Sequence, residues 1–186
     1  MNDTPWDITK RAGEHILAAM DRLDSNYVRS GEAAIHRSAE IEDNVVLKEP
    51  MIIGPNCLVA AGAYLRGGVF LEKDCIVGPN SELKTTFMFS GSKVAHLNFV
   101  GDSIIGSGSN IEAGAIIANY RNEMEDKAIR IRYRDSILET GVEKFGALLG
   151  DGCRIGANAV IAPGALLDPG HITRRLELVD QYPLSA

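Results

Sequence analysis

Large apolar residues recur at every sixth position along the middle of the chain. The first series is Ile35, Ile41, Leu47, Ile53, Val59, Leu65, Leu71, Val77, Leu83 and Phe89. A mostly small residue follows four positions after each, at Ala39, Val45, Met51, Cys57, Ala63, Val69, Cys75, Ser81 and Phe87. Helices repeat at about 3.6 residues and strands at about two, so neither explains this period. A period of six is typical of a parallel β-helix, in which each hexad supplies a short strand and a corner.

The same period recurs in two shorter series nearer the end of the chain. Phe99, Ile105, Ile111 and Ile117 form the first, and Leu149, Ile155, Ile161 and Leu167 form the second. Interruptions lie at residues 89–99 and at roughly 119–144. About eighteen hexads at three per triangular turn correspond to roughly six coils. We therefore predict an all-β parallel β-helix over residues 31–172, with a loop or hairpin protruding at 119–144.

The two ends of the chain do not follow the repeat. Thr4, Pro5 and Asp7 have the spacing of a helix start with a capping box, which predicts a helix from there to about Asp24 within an N-terminal helix and linker at residues 1–30. We expect this helix to cap the first coil or to pack on a neighbouring subunit, because an open solenoid end exposes strand edges. Residues 173–186 are predicted to be a tail lying along the prism, with Arg174 and Arg175 reaching a neighbour.

Composition narrows the class of protein. The chain has 186 residues, 45% of them hydrophobic, and a formal net charge of −6. An acidic chain is a poor general binder of nucleic acid or of anionic membranes. There is no apolar stretch of the ~20 residues that a membrane span needs, and the start lacks the features of a signal peptide. We therefore expect a cytoplasmic protein with a single repetitive domain.

The three cysteines all occupy the small position of a hexad. Cys57, Cys75 and Cys153 are therefore predicted to fill the core as thiols. Cys57 and Cys75 are eighteen residues apart, which places them on consecutive coils, where a disulfide is geometrically feasible. A reducing compartment would keep them reduced.

Two cationic residues have the spacing of neighbours on one face. Arg66 and Lys84 each follow an inward aliphatic residue and lie eighteen residues apart. They should project from the same face on successive coils, about 5 Å apart. Two like charges at this distance repel unless an anion lies between them, which predicts a phosphate site. Alternatively, acids such as Glu82 neutralise them, or both side chains extend into water.

His96 lies in the first interruption, where core packing does not explain it. A neutral imidazole can take a proton from an attacking amine or hydroxyl near neutral pH. An ordinary surface or core histidine is the alternative.

The segment Lys127–Tyr133 alternates charged and apolar residues, which indicates a half-buried hairpin. Its arginines, Arg130, Arg132 and Arg134, are a second candidate anion site.

An ordered set of motifs runs through this region: Gly91-Ser92-Lys93-Val94-Ala95-His96, then Gly101-Asp102, then Asn110-Ile111-Glu112-Ala113-Gly114, and finally Asn119-Tyr120. Over residues 59–172 the chain resembles the acetyltransferase domain of the bifunctional glucosamine-1-phosphate acetyltransferase/UDP-N-acetylglucosamine pyrophosphorylases and related sugar-nucleotide pyrophosphorylases. The resemblance implies a left-handed β-helix, acetyl-CoA as co-substrate, and a homotrimer that binds CoA between adjacent prisms. It also raises a separate nucleotidyltransferase as a partner.

The resemblance implies a role for each matching residue. His96 matches the general base, and Ala113 matches the residue whose backbone amide faces the thioester oxygen. The positions that match substrate and coenzyme contacts are Arg66 and Lys84 for the sugar phosphate, Asn110 and Asn119 with the adjacent Tyr120 for the sugar, and Ala147 for the coenzyme. No metal is implied.

The chain also departs from the family's motifs. Phe99 stands where the family has a sugar-binding tyrosine, and Ala147 stands where the coenzyme loop has a serine. The lysine expected after Asn-Tyr is missing, Lys127 being the nearest. The pyrophosphorylase domain has no counterpart here, although Pro5-Trp6-Asp7 and its helix resemble the linker that follows it.

Three functions are considered from the sequence, and we favour the first. The first is an acyl-CoA-dependent transferase acting on the amine of an amino-sugar phosphate. The second is a non-catalytic trimer, regulatory or scaffolding, that retains a sugar-phosphate pocket. The third is a zinc-dependent β-helix, which needs three converging histidines. The chain has only His15, His36, His96 and His171, so the third is disfavoured. Metal content and thiol release distinguish the three.

Overall fold

The computed structural model describes residues 3–182. Within them, two short helices precede a long series of short strands. The helices are α1 (Pro5–Lys10) and α2 (Ala12–Met20). The strands are β1 (Tyr27–Ser30), β2 (Ala33–His36), β3 (Glu40–Ile41), β4 (Val46–Leu47), β5 (Met51–Ile53), β6 (Leu58–Val59), β7 (Tyr64–Leu71), β8 (Ile76–Val77), β9 (Glu82–Met88), β10 (Lys93–Val94), β11 (Phe99–Ile105), β12 (Asn110–Ile111), β13 (Ile116–Ile117), β14 (Arg130–Tyr133), β15 (Ser136–Glu139), β16 (Ala147–Leu149), β17 (Arg154–Ile155), β18 (Val160–Ile161), β19 (Ala165–Leu167), β20 (Ile172–Thr173) and β21 (Leu178–Val179).

The strands stack in parallel register into a solenoid with three faces. The mixed face is a seven-stranded sheet with Leu58, Ile76, Lys93, Asn110, Arg154 and Ile172 pointing outward. The apolar face carries Tyr64, Glu82, Phe99, Ile116, Val160 and Leu178 outward. The covered face carries Ile52, Phe70, Phe87, Ile104, Leu148 and Leu166 outward. Strands β7, β9 and β11 run around the corner between the apolar and covered faces and join them into one sheet.

The inward ladder follows the predicted period with one correction. Leu83 is followed inward by Met88, which is fully buried and pairs with Leu71, whereas Phe89 is 38% exposed. The ladder then continues through Val100, so the positions predicted for Phe89 and Phe99 are wrong. Here the register pairs residues seventeen apart instead of eighteen. One residue is lost at the corners of β9 and β11, where Thr85 and Asp102 adopt φ of 53° and 45°.

Because each of these coils is one residue shorter, residues 89–99 do not interrupt the solenoid. Lys93 and Val94 form β10, paired on both sides within the mixed face. His96 therefore lies at an ordinary corner of a continuous coil. Phe87, predicted to fill a small inward position, instead points outward into a second apolar cluster.

The N-terminal helical segment begins as predicted. The Thr4 hydroxyl accepts a hydrogen bond from the Asp7 backbone N–H at 3.3 Å, and the Asp7 carboxylate accepts one from the Thr4 N–H, which completes the capping box. The segment neither caps the first coil nor extends to Asp24. Ala12, Ile16 and Met20 instead pack along the covered face, because Phe87 and Ile104 there offer an apolar surface. Neither helix within residues 3–182 is long and apolar enough to cross a membrane.

The excursion, residues 119–144, leaves the solenoid between β13 and β16. Strands β14 and β15 pair antiparallel, and Ile129 and Ile131 are fully buried with Phe145 against the covered face. The predicted half-buried hairpin is therefore confirmed. Arg130 pairs with Asp126 and Glu139 within the excursion.

The solenoid extends beyond residue 172, where a tail was expected. β20 and β21 pair in parallel with β17 and β18 and continue the stack to Val179. Residues 183–186 of the predicted tail lie outside the described residues.

In the core, the three cysteines are buried and free, as predicted. The neighbouring Cys75 thiol, together with burial, raises the pKa of the Cys57 thiol.

Candidate functional site

Arg66 and Lys84 are register partners on adjacent strands, at the corner between the apolar and covered faces. Each has its own carboxylate. Arg66 Nη2 lies 2.6 Å from Glu82 Oε1, and Lys84 Nζ lies 2.8 Å from both oxygens of Asp102. The two cations are thus stacked as predicted, but they are neutralised rather than left to repel each other. Asp102 plays a part in this that the sequence analysis missed.

Asp102 also connects Lys84 to Asn119. The Asp102 side chain is only 9% exposed and accepts a hydrogen bond from Asn119 Nδ2 as well as from the lysine. Gly101 makes room for this arrangement, since a Cβ there would lie 2.7 Å from Asn119 Nδ2 and 2.9 Å from Phe99 Cε1. We call the set Arg66, Lys84, Phe99, Asp102 and Asn119 the acceptor corner, after the role proposed for it under Proposed function. It brings together four of the predicted site residues.

Two lysines lie near the ring of the adjacent Tyr120. Lys127 Nζ lies 5.7 Å and Lys144 Nζ 6.0 Å from the centroid of that ring. Lys144 also lines a cleft of about 490 Å³ with Thr85 and Asp102. The sequence analysis missed Lys144, because only the return of the excursion brings it beside Tyr120.

His96 and Ala113 occupy equivalent positions at the opposite edge of the apolar face. Because β10 and β12 pair seventeen residues apart, the two residues lie on consecutive coils, about 5 Å apart along the stack. The Gly114 N–H donates to the His96 carbonyl at 3.0 Å, which fixes this register. The His96 side chain is exposed. Among residues 3–182, no protein group accepts a hydrogen bond from the Ala113 N–H.

Phe99 connects the two edges. It lies on the apolar face between the corner of His96 and that of Lys84, and its register partners are Glu82 and Ile116. The two or three residues of strand between the corners span roughly 10 Å. A small ligand lying across Phe99 could therefore contact both edges.

Two predicted residues lie elsewhere. Asn110 is exposed on the mixed face between Lys93 and Arg154, not at the acceptor corner. Ala147 is corrected: its side chain is fully buried in the solenoid core, and its N–H donates to Ser103 Oγ at 3.0 Å. On the next coil, Ala157 and not Ala147 occupies the position equivalent to Ala113. The Asn158 N–H donates to the Ala113 carbonyl, just as the Gly114 N–H donates to the His96 carbonyl.

A second cleft, of about 530 Å³, opens at the end of the mixed face beside this stack. It is lined by Asn110, Glu112, Arg154, Ile155, Gly156, Ile172, Thr173, Arg174 and Arg175. Glu112 accepts from the Ala157 N–H at 2.8 Å and from Arg175 at 3.0 Å, and these bonds hold the pKa of its carboxyl below the usual range. In the part of the chain described, Arg154 and Arg174 form no ion pair.

No three His, Cys, Asp or Glu side chains within residues 3–182 are grouped to hold a metal ion. The chain thus carries two distinct surfaces: an acceptor corner with buried polar contacts, and a basic cleft that begins beside Ala113. The basic cleft begins at Glu112, next to Ala113, which lies one coil from His96, whereas the acceptor corner lies across Phe99 from His96. An imidazole, a free backbone N–H and separate polar surfaces on either side suit proton transfer and stabilisation of a developing negative charge.

Comparison with known proteins agrees with the motifs. Residues 50–83 and 135–167 match the family model described as the hexapeptide repeat of succinyl-transferase. The bifunctional sugar-1-phosphate nucleotidylyltransferase/acetyltransferase of Sulfurisphaera tokodaii is 30% identical over 182 residues, covering 92% of this chain and 45% of the relative. The bifunctional protein GlmU of Methanococcus maripaludis is 32% identical over 188 residues, covering 88% and 43%. The chain thus spans less than half the length of these relatives.

Solved structures show the same fold. A hexapeptide transferase family protein from Anaplasma phagocytophilum superposes with a TM-score of 0.57 at 14% identity, covering 82% of this chain and 80% of that one. LpxA, a UDP-N-acetylglucosamine acyltransferase from Bacteroides fragilis, gives 0.51 at 16% identity, covering 83% and 61%. The predicted fold and resemblance are therefore confirmed: the chain is a left-handed β-helix protein of hexapeptide repeats, similar in sequence to bifunctional nucleotidyltransferase/acetyltransferases.

Proposed function

We propose that the chain is an acyl-CoA-dependent transferase that moves the acetyl group of acetyl-CoA to the amine of an amino-sugar phosphate resembling glucosamine 1-phosphate. One observation carries the proposal. The exposed imidazole of His96 lies one coil from the free N–H of Ala113, in a chain similar to relatives named as acetyltransferases. A base and an oxyanion donor thus share one edge of the molecule.

The proposed reaction uses both the His96 imidazole and the Ala113 N–H. The His96 imidazole accepts a proton from the acceptor amine as the nitrogen attacks the thioester carbonyl. The Ala113 N–H stabilises the oxygen that becomes negative as the C–N bond forms. The carbon–sulfur bond then breaks, and the imidazolium returns its proton to the departing thiolate. An amide and free CoA are the products.

The donor is assigned to the basic cleft. That cleft begins next to Ala113 at Glu112 and extends to Arg154 and Arg174. Guanidinium groups bind phosphate oxygens with two parallel hydrogen bonds, which suits the diphosphate of a coenzyme A molecule. Its thioester end would then lie toward Ala113.

The acceptor is assigned to the apolar face across Phe99. Lys84 and Asn119 are within reach of a sugar phosphate lying there, and His96 borders the other side. Binding of the phosphate to Lys84 must compete with Asp102, which holds the ammonium at 2.8 Å in the structure. Lys144 offers a further cation at this corner, with no ion-pair partner among residues 3–182.

A homotrimer is part of the proposal, and two features support it. Phe99, Ile116, Val160 and Leu178 form a ladder of apolar side chains along one open face, and Leu178 is 64% exposed. A neighbouring prism on this face would cover the ladder, and the neighbour's mixed face would bring its Asn110 toward the acceptor.

Two corner leucines are the second feature. Leu97 and Leu176 have φ of 57° and 61° and are 62% and 80% exposed. A left-handed backbone costs a branched residue about 1–2 kcal/mol. Contact with another chain would offset this cost, whereas exposure to water does not.

A non-catalytic trimer is the second candidate, and two observations favour it. Asp102 and Glu82 already neutralise the cations that would hold a phosphate, and Phe99 lacks the hydroxyl of the family's tyrosine. Such a protein would bind sugar phosphates without releasing thiol from acetyl-CoA.

Thiol release from acetyl-CoA, measured across a panel of amino-sugar phosphates and their hydroxyl analogues, tests the proposal. We expect release that needs an amine and a phosphate on the same sugar. Binding of the sugar phosphates without release would favour the non-catalytic trimer. Release with amines that carry no phosphate would contradict the assignment of the acceptor corner.

A further inference from the structure

Arg121 is buried at the point where the excursion leaves the solenoid. Its side chain is 2% exposed, the largest among the fully buried side chains of residues 3–182. Nη1 lies 2.8 Å from Asp180 Oδ2, Nη2 lies 2.7 Å from Asp180 Oδ1, and Nη2 also donates to the Pro163 carbonyl at 2.9 Å. Glu123 lies 3.4 Å from Nη1.

A buried ion pair is an energetically costly way to hold a loop against the solenoid. Burying a guanidinium is unfavourable unless its donors are satisfied, and an apolar side chain of similar volume often fills such a site with no loss of stability. The bidentate pair instead fixes orientation, because two parallel hydrogen bonds hold the guanidinium plane against the carboxylate. Asp180 is 15% exposed and lies just after β21, the last strand of the stack. Burial raises the pKa of its carboxyl, and the bonds from Arg121 lower it to below its ordinary value.

The residues immediately before Arg121 belong to the acceptor corner and its border. Asn119 donates from its side chain to Asp102, while its carbonyl accepts from the Phe145 N–H at 3.2 Å, where the excursion returns. The Tyr120 ring lies within about 6 Å of the ammonium groups of Lys127 and Lys144. Asn119 and Tyr120 lie outside any strand, so ladder hydrogen bonds do not fix their backbone.

We propose that Arg121 is a positioning residue of the acceptor site. Its ion pair with Asp180 fixes the backbone of residues 119–121, so that Asn119 stays hydrogen-bonded to Asp102 and Tyr120 stays near Lys127 and Lys144. The last coil thereby becomes part of the scaffold of the acceptor site. The inference rests on the proposed function for what the site binds, but the fixing of the backbone can be tested without it.

Two variants and one control test the proposal. Arg121→Lys keeps the charge and loses the bidentate geometry, and Asp180→Asn keeps the shape and loses the carboxylate. Glu139→Gln is the control, since it removes an exposed ion pair with Arg130 on the same excursion. Amide hydrogen exchange is measured along the whole chain, and kcat and KM are measured with glucosamine 1-phosphate as the acceptor and acetyl-CoA as the donor.

Faster exchange confined to residues 118–122 and 145–146 is expected in both variants, with exchange in β8, β10 and β12 unchanged. The KM for the acceptor should rise roughly 10–100-fold, the scale of a small misplacement, while kcat and the KM for acetyl-CoA change about twofold or less. The control should show neither effect. If wild-type protein releases no thiol, the proposed function fails, and exchange alone decides this inference.

Three results would overturn it. Exchange at residues 118–122 could stay as in wild type, or it could rise throughout the solenoid, which would indicate a stabilising role only. The third such result is a fall in kcat with an unchanged KM for the acceptor. If Arg121→Lys does not fold, the same measurements on Asp180→Asn decide, and loss of folding in both assigns the pair to stability.

Discussion

At the scale of single residues, Phe99 and Gly101 shape the floor of the proposed acceptor site. The Phe99 ring and the Asn119 amide both lie against the space that a Cβ on Gly101 would fill. Asp102 follows with a left-handed backbone and directs its carboxylate at Lys84. Phe99, Gly101 and Asp102 therefore set the shape and the hydrogen bonds that an acceptor would meet.

Phe99→Tyr is expected to improve acceptor binding. The hydroxyl would supply the sugar contact that the resemblance implies for a tyrosine at this position, and one new hydrogen bond is worth about 0.5–1.5 kcal/mol, or roughly 2–10-fold in KM. Phe89→Tyr, on an exposed position away from this corner, is the control. Steady-state kinetics with varied acceptor measures the effect, and an unchanged KM would separate Phe99 from the acceptor.

Asp102→Asn should strengthen anion binding. The variant keeps the shape of the side chain and leaves the Lys84 ammonium without its carboxylate, so a phosphate gains an uncompensated cation. Glucosamine 1-phosphate should then raise the Tm more than it does in wild type, by mass action on the folded state. Lys84→Ala should abolish most of the shift. Equal shifts in wild type and both variants would place the phosphate elsewhere.

At the scale of elements, the period of the sequence predicts the coils but not the shortened corners. Phe87, Met88 and Phe89 are all large and apolar, so the six-residue period predicts Phe89 as the inward residue and no polar side chain among the three argues against it. Corner geometry at Thr85 makes Met88 the inward residue and turns Phe87 toward the helices. The capping box was predictable because its contacts are local, whereas the proximity of Lys144 to Tyr120 depends on a distant return of the chain.

Met88→Ala and Phe89→Ala compare the two registers directly. Met88 is fully buried, so its truncation should cost about 2–5 kcal/mol of unfolding free energy. Phe89 is 38% exposed and should cost less than about half as much. Urea unfolding of both variants measures the difference. Equal costs, or the reverse order, would contradict the register of β9.

At the scale of the whole molecule, one face is covered and two are open. The helices and the hairpin shield the covered face, while the apolar and mixed faces carry the groups assigned to acceptor and donor. The predicted residues divide accordingly: His96, Ala113 and the acceptor corner border the apolar face, whereas Asn110 points from the mixed face. A single sequence pattern could not show this division, because it depends on which neighbour each face meets.

Val160→Asp should dissociate the proposed trimer. It places a charge in the middle of the apolar ladder, where a neighbouring prism would have to bury it unpaired. Val28→Asp makes the same substitution at an exposed position on β1 and should leave the assembly intact. Sedimentation equilibrium gives the mass of each variant. A wild-type monomer, or a Val160→Asp trimer, would contradict the proposed interface.

The most direct test of the account is the rate of thiol release from acetyl-CoA by wild type and by His96→Ala, with a saturating amino-sugar phosphate. His96 is exposed at a corner and buries no core surface, so the variant should fold and bind acetyl-CoA with unchanged affinity. We predict that kcat falls by the ~10²–10⁴-fold that loss of a general base causes. Equal turnover in the two proteins would remove His96 from the mechanism and contradict the proposed reaction.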